Sequence, residues 1–499
     1  MAQQQSYLPE VVPLPLPDDV LTDIVEKSKD WCLMHGAAMR PKSNYSEDSI
    51  TFAPFTLLPS PFPRREFAKA VRIQTILNEL VHRCANDRAF LTECLHDAIQ
   101  VDEFTGGLFK IYETVQTEGV AQPLSLGMLR SDLMLETLCR QDNSSDEDLN
   151  EERLRPYCCW KQVEMNTIAS GFGFLGPVSS RIHRYVLQEL GHSDKLANLP
   201  ENNALQGLCG GMIEAWKIYG KLEAVILFVV EDVTYNICDQ RFHEFEIRHM
   251  NPEVKVIRRT LTQIAAKGSL SSENELIVDG HVVAVVYFRA GYEPGHYHGK
   301  KEWDARLMIE RSLAIKCPSI HYHLAGTKKV QQALAKPGAL EQFVSDPKSI
   351  EALKEIFTGL YSLDFDETGE RALQMALNDP EKYVLKPQRE GGGNNVYGSE
   401  IRTALLKMKN SKERAAWILM DRIRPPITKG YLVRAGGPNP PPVSEMVSEL
   451  GIFGVVIGDS QKILVNRQVG HMLRTKMSDA NEGGVAAGSG ALDSPYLVD

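Results

Sequence analysis

A chain of 499 residues is longer than one hydrophobic core usually serves, so two or three structural units are expected. Its apolar fraction of 43% and charged fraction of 24% are ordinary for a folded globular protein. The net charge of −10 argues against nucleic acid or an anionic membrane as the main partner, because both select for basic surfaces. A small anionic ligand remains compatible with a locally basic cleft.

The cysteines and the N-terminal region indicate a reducing compartment. Nine cysteines are scattered along the chain without CxxC spacing, which favours neither a zinc site nor a disulfide framework. Residues 1–17 have no basic start and no apolar stretch of signal-peptide length, and no later apolar run is long enough to span a bilayer. A cytoplasmic location is the default expectation.

The first quarter of the chain reads as a helical platform. Apolar residues at helical spacing predict helices over 18–34, 64–84 and 87–100. In the following segment, 122–136, the triplet at 130–132 is either a surface turn or a ligand contact. The polar, acidic run 141–153 is typical of a solvated loop.

A strand is predicted over 160–167 by alternating side chains. Val163 and Met165 face one way, whereas Glu164 and Asn166 face the other. Two oxygen ligands on one strand face suit a metal ion, although an exposed strand explains them equally well.

Between 222 and 326 the pattern changes to alternating strands and helices. The continuous apolar runs 225–230 and 282–288, with the shorter 254–259, are typical of buried parallel strands. Ligands bind beyond the carboxyl ends of such strands, where Asn236, Gln240 and the segment 289–292 follow. The pattern predicts a compact inserted ligand-binding unit, with Arg289 either an anion clamp or a surface arginine.

A glycine-rich segment with the sequence KPQREGGGNN occupies 386–395, directly after a predicted strand at 383–385. Three consecutive glycines suggest positive φ angles or close approach of backbone to a ligand. Lys386 and Arg389 could neutralise a phosphate, and Glu390 could hold the accompanying Mg²⁺. A glycine-rich hairpin turn is the alternative, and the pattern is neither a Walker A loop nor a dinucleotide fingerprint.

The last third combines strands predicted at 417–420, 431–433, 451–457 and 463–466 with a second glycine-rich loop. Glu449 lies where a nucleotide sugar could be held. The basic run 471–476 leads into the loop 481–488, which is either a lid or a mobile loop.

Taken together, these motifs resemble the eukaryotic-type glutathione synthetases, a family of the ATP-grasp superfamily. The resemblance rests on KPQREGGGNN at 386–395, LAGTKKVQQ at 324–332, SELGIFGV at 448–455, VGHMLRTK at 469–476 and GGVAAG at 483–488. Matches at 52–60, 163–168, 238–241 and 284–289 extend it, in order, over nearly the whole chain.

The resemblance implies a mixed α/β fold of the ATP-grasp type. It divides the chain into a helical N-terminal region with part of the core (1–221), an inserted parallel-sheet substrate-binding domain (222–326), and a core with a glycine-rich lid (327–499). It also implies ATP-dependent ligation of γ-glutamylcysteine to glycine through an acyl phosphate, with two Mg²⁺ ions per active site and a homodimeric assembly. Such a reaction needs alignment, charge neutralisation and exclusion of water, but no protein nucleophile.

The resemblance also implies roles for individual residues, which are assigned where a motif of this chain matches a motif of the family. Glu164, Asn166 and Glu390 are implied Mg²⁺ ligands, and Arg474 and Lys386 are the implied catalytic residues. The implied ATP-binding residues are Glu164, Lys328, Lys386, Pro387, Gln388, Arg389, Glu390, Gly391, Gly392, Gly393, Asn394, Asn395, Tyr397, Met420, Asp421, Arg422, Ile423, Glu449, Lys476 and Glu482, the last two from the lid. The implied peptide- and glycine-binding residues are Arg130, Ile168, Ala169, Ser170, Gly171, Thr234, Tyr235, Asn236, Gln240, Arg289, Ala290, Gly291, Tyr292, Arg474, Val485 and Ala486.

The chain departs from the family pattern mainly in the peptide pocket. Ala169 to Gly171 stand where the family usually has alternating serines, Thr234 and Tyr235 replace a charged pair, and Ala290 replaces an acidic residue. The segment 485–487 matches the glycine-using pattern. A β-alanine- or serine-using relative, and a nucleotide-binding relative without turnover, are the alternative hypotheses.

Overall fold

The structure is a computed structural model that describes residues 6–138, 156–390, 392–485 and 490–499. The acidic run 141–153, Gly391 and Ala486 lie outside the described residues. Within those ranges, no helix combines the length and the apolar character needed to cross a bilayer.

The helices lie mostly in the N-terminal third and around the sheets. They span Asp18–Met34, Arg64–Ala85, Arg88–Leu95, Ala98–Val101, Glu103–Glu118, Leu175–Glu189, Ala204–Tyr219, Ile237–Met250, Leu261–Lys267, Lys300–Arg311, Ile320–Ala325, Lys328–Leu334, Pro347–Ile356, Glu367–Asn378 and Ser399–Met408.

The strands are numbered in chain order. They are β1 Ala38–Met39, β2 Thr51–Phe52, β3 Phe55–Thr56, β4 Ser60–Pro63, β5 Ser125–Glu136, β6 Cys159–Asn166, β7 Val225–Val229, β8 Val256–Arg259, β9 Gly268–Leu270, β10 Leu276–Val278, β11 His281–Phe288, β12 Ile315–Cys317, β13 Leu360–Ser362, β14 Tyr383–Pro387, β15 Val396–Tyr397, β16 Trp417–Asp421, β17 Thr428–Val433, β18 Val443–Gly458, β19 Ile463–Met477, β20 Gly490–Asp493 and β21 Pro495–Val498.

A 13-stranded mixed sheet forms the centre of the molecule, in the order β17-β3-β20-β19-β18-β5-β12-β11-β10-β9. β6 extends from β5, and β7 joins β11 to β8. The pairings of β7 with β8 and β11 are parallel, as the apolar runs predict. The short strand β12, which the sequence did not predict, also pairs in parallel with β11 and β5. Helices cover β7, β11 and β12, which are buried on both faces over most of their length, whereas β8 is only partly buried.

A smaller antiparallel sheet, in the order β13-β16-β14-β15, stands apart from the large one and has its own core. The helices Glu367–Asn378 and Ser399–Met408 pack on it through Leu373, Ile401 and Leu405. This sheet carries the glycine-rich segment between β14 and β15. The mixed α/β architecture predicted from the sequence is confirmed.

Two local predictions are wrong, and one alternative that the sequence left open is settled. The helix predicted over 87–100 is two helices, Arg88–Leu95 and Ala98–Val101. Asp87 caps the first helix, and residues 96 and 97 form a turn between the two. The triplet 130–132 lies in the middle of the buried strand β5 and is no surface turn. Lys476, which the resemblance assigned to the lid, belongs to the 15-residue strand β19 of the large sheet and so projects from that strand instead.

Candidate active site

A cavity of about 600 Å³ lies between the small sheet and the large one. The predicted site residues that line it are Arg130, Glu164, Asn166, Ile168, Ala169, Gly171, Asn236, Arg289, Tyr292, Lys328, Lys386, Arg389, Glu390, Gly392, Asn394, Asn395, Tyr397, Met420, Asp421, Arg422, Ile423, Glu449, Arg474, Lys476, Glu482 and Val485. Segments far apart in the chain thus converge on one space.

Other predicted residues lie outside the lining: Pro387, Gln388, Gly393, Ser170, Thr234, Tyr235, Gln240, Ala290 and Gly291. Gln388 and Ser170 form hydrogen bonds with the surrounding backbone instead. The Gln388 side chain accepts from the Lys329 amide and donates to the Ala416 carbonyl. Ser170 donates to the Met128 carbonyl.

Two carboxylates and one lysine form the centre of the cavity. The Lys328 ammonium lies 2.9 Å from Glu164 Oε2 and 3.0 Å from Glu390 Oε1, which brings β6 and the glycine-rich segment together. Burial alone would raise the pKa of Glu164, but the Lys328 and Lys386 charges hold it well below its usual value. Burial raises the pKa of Glu390, although the same lysine opposes the shift.

Lys386 reaches this centre from β14. Its Nζ donates to the Val163 carbonyl at 3.0 Å, and the residue is 5% exposed. The pairing of β5 with β6 shifts register here, since Asp132 faces Glu164 whereas Leu133 faces Gln162, so Val163 is the extra residue of a bulge. Burial lowers the pKa of Lys386, and the Glu164 charge counteracts that shift.

Arg474 stands beside Asp132 and Glu449. Its Nη2 lies 2.5 Å from Glu449 Oε1 and 3.5 Å from Asp132 Oδ2. Glu449 and Arg474 are cross-strand partners in β18 and β19, which fixes their proximity. Burial would lower the pKa of Arg474, but the two carboxylates raise it, so the guanidinium stays charged.

The two glycine-rich loops touch. Glu482 accepts hydrogen bonds from the backbone amides of Gly393 and Asn395, the latter at 3.1 Å. Gly392 and Gly393 have φ angles of 74° and 76°, the conformation that the glycine run predicts. The loops therefore meet over the cavity.

At the opposite end, Arg289 lies 3.5 Å from Asp239, which is 1% exposed. Asp239 also accepts from the backbone amides of Phe172, Phe174 and Leu175 at 2.9–3.2 Å. This carboxylate fixes a loop whose residues Ala169 and Phe172 have positive φ angles of 49° and 77°.

Sequence reasoning missed several residues of the cavity. Glu231 and Asp239 are carboxylates of the lining beside predicted residues, and Asp239 stands inside the quoted motif at 238–241. Asp132, named above only within the triplet 130–132, is a fully buried carboxylate that binds Arg130 from behind the lining. An apolar wall, made of Met134, Val384, Ile427 and Val447 beside Met420 and Ile423, also lines the cavity. A strand-end carboxylate is a usable sequence signal, whereas an apolar wall residue looks like any core residue.

A small antiparallel sheet that faces a large mixed sheet across a cavity of lysines, carboxylates and glycine-rich loops is the arrangement of the ATP-grasp ligases. The fold and the site thus define an ATP-dependent ligase.

Comparison with known proteins narrows this class. The family model described as eukaryotic glutathione synthase, ATP-binding domain, matches residues 18–497. Glutathione synthetase of Xenopus laevis is 44% identical over 481 residues, which cover 96% of this chain and 97% of the relative. The human enzyme is 42% identical over 480 residues, with the same shares covered. A solved structure of a glutathione synthetase-like effector from Globodera pallida, in apo form, superposes with a TM-score of 0.75 at 27% identity and covers 97% of this chain and 98% of that one.

The chain therefore belongs to the eukaryotic glutathione synthase family, and its activity is that of an ATP-dependent ligase of glutathione biosynthesis.

Proposed function

We propose that the chain joins γ-L-glutamyl-L-cysteine to glycine and releases glutathione, ADP and phosphate. The cysteinyl carboxylate takes the γ-phosphoryl group of ATP and forms an acyl phosphate. The glycine amine then attacks the carbonyl carbon and loses a proton as the C–N amide bond forms, and the acyl C–O bond breaks so that inorganic phosphate leaves with that oxygen. The main support for this proposal is that one cavity contains three adjoining parts: an apolar wall, a centre of lysines and carboxylates, and a side with arginines that could bind the peptide.

ATP would lie along the small sheet. The apolar wall and Tyr397 suit the adenine ring, and Lys328 and Lys386 suit the phosphates because both are buried ammoniums at the end of that wall. Backbone amides of the glycine-rich segment add further donors for phosphate.

Mg²⁺ fits the residues present. Glu164 and Glu390 already converge on one cation, the Lys328 ammonium, within 3.0 Å. Asn166 lies on the same strand as Glu164 and lines the same cavity. Oxygen ligands of this kind, with few protein carboxylates and the nucleotide phosphates, are what Mg²⁺ prefers. Two bound Mg²⁺ ions would neutralise the phosphates and polarise the transferred group.

The peptide would occupy the opposite side. Arg130 and Arg289 would bind its carboxylates, and Asn236 and Tyr292 would add hydrogen bonds. Arg474 would stabilise negative charge as the phosphoryl group moves, and Val485 with Ala486 would cover the glycine. Closed glycine-rich loops would exclude water, which otherwise hydrolyses the acyl phosphate.

The three-part domain division at 221/222 and 326/327, the homodimer and the cytoplasmic location are further proposals. Support for a reducing compartment comes from the cysteines of the described residues, which are free thiols. Light scattering of the purified chain tests the dimer, and limited proteolysis tests the boundaries.

The first test is ADP release with ATP, Mg²⁺ and γ-glutamylcysteine in the presence of glycine, β-alanine, serine or no acceptor. We expect glycine-dependent turnover and a product with the mass of glutathione. Preference for β-alanine or serine would replace the acceptor in this proposal, and ATP binding without turnover would refute it.

Lys386→Met, matched with Lys382→Met, tests the phosphate role. Lys386 is buried in the cavity, whereas the Lys382 side chain is 59% exposed and pairs with Asp379 on the surface. Loss of a buried cation at developing charge typically costs about 100- to 1,000-fold in kcat. We expect a loss of that order for Lys386→Met and a change within about twofold for Lys382→Met. Equal rates for the two variants would contradict the role.

A further inference from the structure

Glu231 lines the cavity, yet none of the roles above uses it. It lies two residues beyond the end of β7, and Arg289 lies one residue beyond the end of β11. The two strands are parallel neighbours, with Val229 opposite Phe288, and the Arg289 amide donates to the Val229 carbonyl at 2.7 Å. The topology therefore places an anion and a cation side by side at one edge of the sheet.

Glu231 is a half-buried carboxylate with room for a ligand. Its Oε2 accepts from Gln240 Nε2 at 3.2 Å, and its Oε1 has no hydrogen-bond partner among the described residues. Tyr292 lies close enough to sense the charge: burial raises the pKa of this tyrosine, and Glu231 raises it further. The hydroxyl thus remains a donor beside the carboxylate.

Neighbouring carboxylates have other partners. Asp239 binds three backbone amides and Arg289. Asp232 pairs with His298 at 2.8 Å and does not line the cavity. Thr234 and Ala290 stand at nearby positions and carry no charge.

This inference rests on the proposed function, in which γ-glutamylcysteine is the substrate. The γ-glutamyl end of that substrate carries an α-ammonium and an α-carboxylate. We propose that Glu231 binds the α-ammonium while Arg289 binds the α-carboxylate, so that Glu231 determines specificity for a γ-glutamyl group over a plain glutaryl group. A charge-assisted hydrogen bond between ammonium and carboxylate supplies the discrimination.

Titration calorimetry on the full chain tests this assignment with two ligands: γ-glutamylcysteine, and N-glutaryl-L-cysteine, which lacks only the α-ammonium. We expect the wild-type chain to bind the glutaryl compound about 10- to 100-fold more weakly, as loss of a hydrogen bond to a charged group predicts. Glu231→Gln should weaken γ-glutamylcysteine by a similar factor, leave the glutaryl compound nearly unchanged and so abolish the discrimination.

Controls separate recognition from structure. Asp232→Asn removes the adjacent carboxylate and should leave both affinities within about twofold, and Glu231→Asp, which keeps the charge, should retain part of the discrimination. Equal weakening of both ligands by Glu231→Gln, or unchanged discrimination, would overturn the assignment. A wild-type chain that binds γ-glutamylcysteine but fails in the ADP-release assay would count against the proposed function and leave the binding assignment standing.

Discussion

Asp132 connects three residues of the active site without facing a substrate itself. It is fully buried and holds Arg130 through two hydrogen bonds of 2.6 and 2.7 Å. It also accepts from Asn166 Nδ2 at 3.0 Å and lies 3.5 Å from Arg474. One carboxylate on β5 thus sets the orientation of two cations and a proposed metal ligand.

Replacing Asp132 with Asn should lower kcat/KM for γ-glutamylcysteine by about 10- to 100-fold, because the buried Arg130 loses its counter-charge and Arg474 loses one of its two carboxylate neighbours while the side-chain shape is kept. KM for ATP should change by less than about threefold. Steady-state kinetics with each substrate varied in turn provides the measurement.

The matched control is Ser131→Ala. Ser131 is the adjacent residue of β5 and accepts from Gln162 at 2.9 Å, away from the two arginines. It should retain kcat/KM within about threefold. An Asp132→Asn enzyme with wild-type kinetics, or one that loses ATP and peptide affinity alike, would show that the carboxylate does not orient the peptide-binding arginines.

Individual site residues were predictable where a short motif carried them. Glu164, Lys386 and Glu390 stand inside such motifs, and the structure places all three on one cavity. Glu231 was not predicted and Asp132 was named only within the triplet 130–132, because the importance of both depends on charges contributed by neighbouring strands. Strand pairing across long stretches of sequence, which local pattern does not encode, decides that proximity.

At the scale of elements, the glycine-rich segment is held at its base and at its tip. At the base, Arg389 Nη1 lies 2.5 Å from Asp102 Oδ2, and Asp102 also caps the helix Glu103–Glu118 through the Thr105 amide. At the tip, Glu482 binds the backbone of Gly393 and Asn395. The glycine-rich segment is therefore joined to the helical platform at its base and to the second loop at its tip.

This arrangement makes two roles for Arg389 distinguishable, an anchor of the loop and a phosphate ligand. If Arg389 is an anchor, Asp102→Asn and Arg389→Met should each raise KM for ATP by about three- to tenfold, and the double variant should be no worse than either one, since both remove the same contact. Kinetics of the three variants with ATP varied gives this comparison.

A phosphate ligand would behave differently. Arg389→Met would then raise KM for ATP far more than Asp102→Asn, and the two effects would add. The Asp102→Asn variant retains a side-chain oxygen that can cap the helix, so loss of the cap does not confuse the result. Lys382→Met again serves as the surface control.

Element types were predicted better than element lengths. The buried runs of β7 and β11 have a clear apolar signal, and both appear as predicted. β18 and β19 extend to 16 and 15 residues because their polar ends pair with each other and with neighbouring strands, as at Lys476 and Val447. A polar side chain on a strand that faces a ligand cavity breaks the apolar pattern, so the sequence placed those ends in loops.

At the scale of the whole molecule, both ends of the described chain are built into the same structure. β3 lies between β17 and β20, and β21 pairs in parallel with β4. The buried Asp493 accepts from Thr475 and from Ser60, which lies 433 positions away in the chain. Stability is therefore shared across the chain, and a buried titratable group anywhere in this sheet affects the unfolding of the whole.

His471 on β19 is such a group. It is 2% exposed, packs edge-on against Phe67, and burial lowers its pKa to about 3 from an ordinary value of 6.5.

The folded state therefore binds fewer protons than the unfolded state between these two pKa values. The free energy of unfolding thus falls as the pH falls below 6.5, by about 1.4 kcal/mol per pH unit from this residue. The free energy of unfolding in urea, measured from about pH 7 to pH 5, should fall by about 2 kcal/mol less in His471→Gln than in the wild type, because the histidine of the unfolded state is only partly protonated near pH 7. His249→Gln removes a histidine whose side chain is 82% exposed and should leave the wild-type slope unchanged. Identical slopes for wild type and His471→Gln would mean that His471 binds a proton in the folded state, which its apolar surroundings oppose.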